Sequence, residues 1–172
     1  FGGTSVGTIE KIKKVAKIII DYKKKNYMVI VVSSAMSGVT NELIKKSFEI
    51  SDSFSESEHD VLVSSGEQVA CSLIAGRLIH EGYESRSWLS WQVPILTKGK
   101  YKNSRINQIN KKNIIKYLKK GGIPIVTGFQ GLNDENRITT IGRGGSDASA
   151  IMIAKFFKAE RCIIYTDVEG VY

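Results

Sequence analysis

The run Met28-Val29-Ile30-Val31-Val32 constrains the fold of this chain more than any other stretch. It is wholly apolar, rich in β-branched residues and too short for a buried helix. No polar residue alternates along it. A strand of that kind has to be covered on both faces, as the central strands of parallel sheets are. Ile123-Pro124-Ile125-Val126-Thr127 is a second run of the same type. Ser85 to Trp91, Arg137 to Ile141 and Arg161 to Thr166 are read as further strands. Helical spacing appears between them. Ile9, Ile12, Val15, Ala16 and Ile19 recur on one face with lysines opposite, and Thr4, Ser5 or Thr8 would cap that helix. Asn41 to Ile50 reads as a helix, and Val61 to Ile79 is a long apolar stretch around Ser64-Ser65-Gly66-Glu67. Ile106 to Lys120 is amphipathic through Ile109, Ile114 and Leu118, ending at Gly121-Gly122. A helix rich in apolar residues runs from Ala148 to Phe157. Strands alternating with helices predict an α/β fold, with a mainly parallel central sheet and helices on both faces.

In such a fold the loops after the strands gather at one edge of the sheet, where ligands bind. Several loops here carry chemistry. In Gly142-Arg143-Gly144-Gly145-Ser146-Asp147, glycines allow close backbone approach and a helix follows at once. The N-terminus of that helix would suit an anion, and Arg143 offers a planar fork for carboxylate or phosphate. Asp147 is the odd member, since it repels an anion unless a cation joins it. The plain alternative is a loop in which Ser146 or Asp147 caps the helix. Phe1-Gly2-Gly3-Thr4-Ser5 is either a second phosphate cradle or a capped turn, and the hydroxyl-rich Ser33 to Asn41 is either a ligand loop or a polar connection. Glu67, set among Val69, Ala70, Leu73 and Ile74, would be partly buried; it either forms an ion pair or receives a substrate amine.

Composition limits the alternatives. The chain has 172 residues, 42% of them hydrophobic and 24% charged, as in an ordinary single domain with a real core. No stretch reads as a membrane span or signal peptide. The net charge of +8 comes mostly from lysines spread over helix faces and ends. They read as a solvated surface and not as a nucleic-acid groove. Cys71 and Cys162 are expected to be buried thiols without a disulfide, and His59 and His80 lack metal-ligand spacing, so no metal site is read. Ser51 to Glu58 reads as an exposed connection.

Taken in order, the motifs resemble those of the aspartokinase kinase domain. They are Phe1-Gly2-Gly3-Thr4-Ser5, Ser34-Ala35-Met36-Ser37-Gly38-Val39-Thr40-Asn41, Ser65-Gly66-Glu67-Gln68, Gly128-Phe129-Gln130-Gly131, Gly142 to Asp147, and Thr166-Asp167-Val168-Glu169-Gly170-Val171-Tyr172. The resemblance implies the three-layer αβα amino-acid kinase fold over residues 1–172. It implies transfer of the γ-phosphoryl group of ATP, with Mg²⁺, to the side-chain carboxylate of L-aspartate, the first step toward lysine, threonine and methionine. It also gives roles to residues. Gly2 and Gly3 would lend N–H groups to the transferring phosphate, with Thr4 and Ser5 beside it. Arg143 would hold the substrate α-carboxylate and Glu67 its ammonium, while Ser34, Thr40 and Ser146 complete that pocket. Asp147 would orient a catalytic lysine. Thr166, Asp167 and Tyr172 would line the nucleotide site, and the metal would be held largely by ATP oxygens.

Three departures accompany it. The family's lysine precedes the Phe-Gly-Gly, and here nothing precedes Phe1. The regulatory ACT domains are absent, so the chain is expected to be a fragment that is nearly inactive alone. Ala148, Ser149 and Glu169 differ mildly from the usual residues. A homo-oligomeric full-length protein is expected, a cytoplasmic location is read from the missing signal and the ATP requirement, and composition leads to the expectation of no nucleic-acid or membrane binding. Rival readings are a kinase of the same fold acting on glutamate, acetylglutamate or a nucleotide, a fragment that only binds ligand or partner, and a nucleic-acid binder. Glu67 separates the first, because a free ammonium needs an anion and an acylated amine does not.

Overall fold

The computed structural model describes residues 1–142 and 144–166. Helix α1 (Ile9–Lys24) begins at Thr8, whose hydroxyl accepts the Lys11 N–H at 3.2 Å, so the cap is the third of the expected candidates. Strand β1 (Val31–Ser33) follows, then α2 (Val39–Ile50) and the long α3 (Glu56–His80). Next come β2 (Ser85–Trp88), β3 (Ile95–Lys98), β4 (Arg105–Ile109), α4 (Lys112–Lys119) and β5 (Ile123–Thr127). The described chain then forms β6 (Gln130–Leu132), β7 (Ile138–Thr140) and α5 (Gly145–Phe157).

The central sheet is parallel, in the order β1-β5-β2. Its strands alternate between two apolar layers, which is why they carry no polar period. Val31, Ile123 and Ile125 join Val15, Ile19, Ile74 and Leu78 on the side of α1 and α3. Val32 and Val126 join Ile114, Leu118 and Ile153 on the side of α4 and α5. Helices thus cover both faces, giving the expected three layers.

Several boundaries differ from expectation, each for a physical reason. The first strand pairs from Val31 to Ser33, not from Met28, because its partners on β5 are Ile125 to Thr127; Met28 is exposed. The second ends at Trp88, where the Gln92 N–H turns back to the Leu89 carbonyl. Residues 105–109 form β4, not helix, and are paired antiparallel with β3; α4 begins only at Lys112. Gln130 to Leu132, where no strand was expected, pairs with both β3 and β7. A second, mixed sheet therefore exists, in the order β4-β3-β6-β7. Residues 161–166 form no assigned strand. They run beside the first residues, where the Gly2 N–H donates to the Tyr165 carbonyl at 3.0 Å and the Phe1 and Tyr165 rings stack. Cys71 is buried as expected, whereas Cys162 is exposed, because its segment lies at the surface. No helix among the described residues is long and apolar enough to cross a membrane.

Candidate active site

Four loops meet at the carboxyl ends of β1 and β5. The Phe1 carbonyl accepts the Ser34 N–H at 3.0 Å, and the Gly3 carbonyl accepts the Ser37 N–H at 3.2 Å. This joins the first glycine loop to the loop after β1. The Gly128 N–H donates to the Ser33 carbonyl at 3.0 Å, which joins the loop after β5 to the same place. Gly128 is also pressed against the start of α5: a Cβ on it would stand 2.9 Å from both Cβ and Oγ of Ser146. Only a residue without a side chain allows these two elements to touch. The Phe129 N–H donates to Ser149 Oγ at 3.0 Å, and that hydroxyl donates to the Gly145 carbonyl at 2.7 Å.

Helix α5 is not capped by Ser146 or Asp147. Its N-cap is Gly144, at φ 69° and with no side-chain cap bond. Ser146 and Asp147 are therefore inside the first turn. There Asp147 is exposed and Ser146 is half-buried. A carboxylate in a first turn is favoured by the helix dipole. Thr40 likewise lies within the first turn of α2, half-buried, and Ser34 is half-buried in the loop after β1.

Glu67 stands beneath this edge, on α3, and is more deeply placed than the sequence implied, at 3% exposure. Its Oε1 accepts the Ala35 N–H at 3.1 Å. Its Oε2 is buried with no hydrogen-bond partner among the described residues. Burial raises its pKa from 4.5 to about 7, and the Ala35 N–H opposes that rise. A buried carboxylate with one unmet oxygen is costly by itself and becomes favourable once a cation arrives. The Ala35 contact depends on close packing, since a Cβ on Gly66 would lie 2.8 Å from the Ala35 Cβ.

A second recess, of about 290 Å³, is lined by Thr4, Ser5, Lys11, Lys14, Tyr165 and Thr166 among others. Ser5 Oγ donates to the Tyr165 carbonyl at 3.1 Å, and Lys11 Nζ donates to the Thr4 carbonyl at 2.9 Å. The structure thus brings Thr4, Ser5 and Thr166 to the lining of one recess. It alters the expectation for Gly2, whose N–H is occupied by Tyr165. Arg143, Asp167 and Tyr172 lie outside the described residues.

Three residues at these sites escaped sequence reading. Lys11 was counted with the solvated lysines, and only its turn back toward Thr4 reveals it. Ser149 ties the loop after β5 to α5. Asp60, fully buried on α3, accepts hydrogen bonds from Lys102 and Thr140. Its neighbours Glu56 and Glu58 are exposed acids, so nothing in the local sequence set it apart.

The chain is similar to known proteins over its whole length. The aspartokinase of Rickettsia conorii is 49% identical over the whole of this chain, which covers 44% of that protein. Aspartokinase 2 of Bacillus subtilis is 46% identical, again over the whole chain and 42% of the relative. The chain thus spans less than half the length of these curated relatives. A crystal structure of aspartate kinase from Synechocystis superposes with a TM-score of 0.83 at 39% identity, covering 98% of this chain and 28% of that one. E. coli aspartokinase III, in complex with aspartate and ADP, has the same fold, with a TM-score of 0.86 at 23% identity over 100% of this chain and 49% of the other. The model of the amino acid kinase family matches residues 1–172 from end to end, and the chain belongs to that family.

Proposed function

We propose that the chain is the catalytic-domain portion of an aspartate kinase, which moves the γ-phosphoryl group of ATP to the side-chain carboxylate of L-aspartate and forms 4-phospho-L-aspartate. The buried, half-satisfied carboxylate of Glu67 carries this reading. It is a ready seat for a substrate ammonium, and the identity of 45–49% to curated aspartokinases supports aspartate as the amino acid. An acceptor with an acylated amine would leave that oxygen unpaired, which disfavours the acetylglutamate alternative.

The chemistry asks little of a general base, because the attacking group is itself a carboxylate. Positioning and charge neutralisation do the rest. Glu67 would hold the ammonium through Oε2, with Oε1 fixed by Ala35. Ser34, Thr40 and Ser146 would border the substrate, and Arg143 would take its α-carboxylate. Asp147, exposed in the first turn of α5, would orient the cation that meets the transferring group. The Gly3 N–H is the donor of the Gly2-Gly3 pair left for a phosphate. Thr4, Ser5 and Thr166 would border the nucleotide, with Asp167 and Tyr172 completing its site. Bound MgATP would supply the phosphoryl group and the ion that offsets its charge. The ion would rest mainly on phosphate oxygens and water, as Mg²⁺ with a nucleotide often does. A place in lysine, threonine and methionine synthesis, in a cytoplasmic homo-oligomer, accords with such an activity.

The test is ADP formation by the full gene product with a panel of acceptors. L-Aspartate should support turnover, and N-acetyl-L-aspartate should not. Equal rates with the acetylated compound would overturn the role of Glu67 and the substrate with it.

A further inference from the structure

The buried carboxylate of Asp60 is a candidate for a part in substrate positioning. It is 0% exposed, and His59 Nδ1 stands 3.5 Å from its Oδ1. A buried carboxylate persists when hydrogen bonds repay its lost hydration. Here Oδ2 accepts the Lys102 N–H at 2.9 Å and the Thr140 N–H at 2.8 Å, while Oδ1 accepts the Thr140 hydroxyl at 2.8 Å. From the other side, the Thr140 carbonyl accepts both the N–H and the hydroxyl of Ser104, each at 2.9 Å. Every polar group of Thr140 is therefore bound.

Thr140 is the last residue of β7, and the glycine loop begins two residues later. Gly142 lies against the same anchored turn: a Cβ on it would stand 3.2 Å from Asn103 Oδ1 and 3.3 Å from the Lys102 carbonyl oxygen. Asp60 and Glu67 are seven residues apart on one helix, hence on one side and about 10 Å apart along its axis. One rigid element thus holds the root of the glycine loop at one point and the ammonium seat at another.

We infer that Asp60 is a positioning residue for the amino-acid substrate: through Thr140 it fixes the chain at Gly142, and with it the turn that opens α5, relative to Glu67. The kinetic half of this inference rests on the aspartate-kinase reading. The conformational half does not. Asp60 touches no substrate, and its effect passes wholly through the loop.

The experiment uses the full gene product carrying Asp60→Asn, Thr140→Val or, as a core control, Ile114→Val. In Asp60→Asn the charge that strengthens these bonds is lost, and the Thr140 hydroxyl has to accept from the new amide instead of donating, so the anchor is weakened. KM for aspartate should rise by about tenfold, with KM for ATP changed by less than about twofold. Thr140→Val, which keeps the shape and removes one donor, should move aspartate KM the same way by less. It decides the matter if the asparagine variant fails to fold. The control should move neither constant selectively. Amide hydrogen exchange should quicken across residues 99–104 and 139–147 in Asp60→Asn and stay unchanged in β5 and the rest of α3. Aspartate and ATP constants that move together, or exchange that quickens evenly over the chain, would overturn the inference. Should the unaltered protein fail to phosphorylate aspartate, the function reading falls, and the exchange pattern alone judges Asp60.

Discussion

Glu67 concentrates the account at the scale of single residues. Its folded pKa lies above its unfolded one, so the folded state holds the proton more tightly. The cost to stability is absent below about pH 4.5, grows as pH rises toward 7 and is constant above that. A shift from 4.5 to about 7 corresponds to roughly 3 kcal/mol. Glu67→Gln removes that cost while an amide oxygen can still accept the Ala35 N–H. The variant should therefore melt no lower than the parent at pH 8, and higher relative to it at pH 8 than at pH 4.5. It should nevertheless lose aspartate affinity by about a hundredfold, the consequence of removing a buried charge partner. Melting curves at the two pH values, with calorimetric titration of aspartate, check both halves. In the parent, aspartate affinity should rise as pH passes upward through about 7, since the ionised carboxylate is the form that receives the ammonium.

Glu67 was legible because a lone carboxylate inside an apolar run has to be explained. Asp60 was not, since its burial is decided by β4 and β7, strands distant in sequence. The roles of Arg143, Asp167 and Tyr172 came from motif resemblance and remain so. Lys11 shows the limit of helical patterning: it sits on the polar face of α1, yet its long stem reaches the first glycine loop.

At the scale of elements, α3 is the spine. It packs against α1, α2 and all three strands of the first sheet or their flanks, and it carries Asp60, Ser64 and Glu67 along one side. Ser64 contributes its carbonyl, which accepts from Gln130 Nε2 at 2.9 Å and ties β6 to the helix. Contacts of α3 to both sheets bury Val63, Ala70, Cys71, Ile74 and Leu78. The junction between β5 and α5 is as tight. Gly128→Ala would force a Cβ to within 3.1 Å of the Ser146 Cα and closer still to its side chain, and backbone cannot yield cheaply there. The expected loss is about 1–3 kcal/mol of stability together with about tenfold in kcat/KM, read by thermal melting and steady-state kinetics. A melting point and activity equal to those of the parent would show that the two elements need not touch.

The parallel strands and α1, α2 and α5 were readable as elements, because each has a one-sided or two-sided apolar pattern of its own. Strand β4 was not. Ile106 and Ile109 are three apart and mimic a helical stripe, while most of the strand is exposed and shows no alternation. Strand β6 was hidden in a glycine-containing stretch whose pairing with β3 and β7 is long-range.

At the scale of the whole molecule, the fold explains why weak motifs become one site. Parallel strands deliver their loops to a single edge, and the layers on both faces hold those loops rigidly. The second sheet adds what a minimal three-layer pattern lacks: a hairpin whose turn, near Lys102 to Ser104, braces the glycine loop from outside. Membership of the amino acid kinase family follows from the match over the whole chain. The choice of aspartate as acceptor is the claim that most needs a direct test. The most direct measurement is trapping of the product: incubation of the full gene product with MgATP, L-aspartate and hydroxylamine, which converts an acyl phosphate into a stable hydroxamate. Aspartate hydroxamate should form in amounts matching the ADP, and at sub-saturating aspartate its yield should fall by about a hundredfold when Glu67→Gln replaces the parent. ADP without hydroxamate, or hydroxamate formed equally well by that variant, would contradict the account.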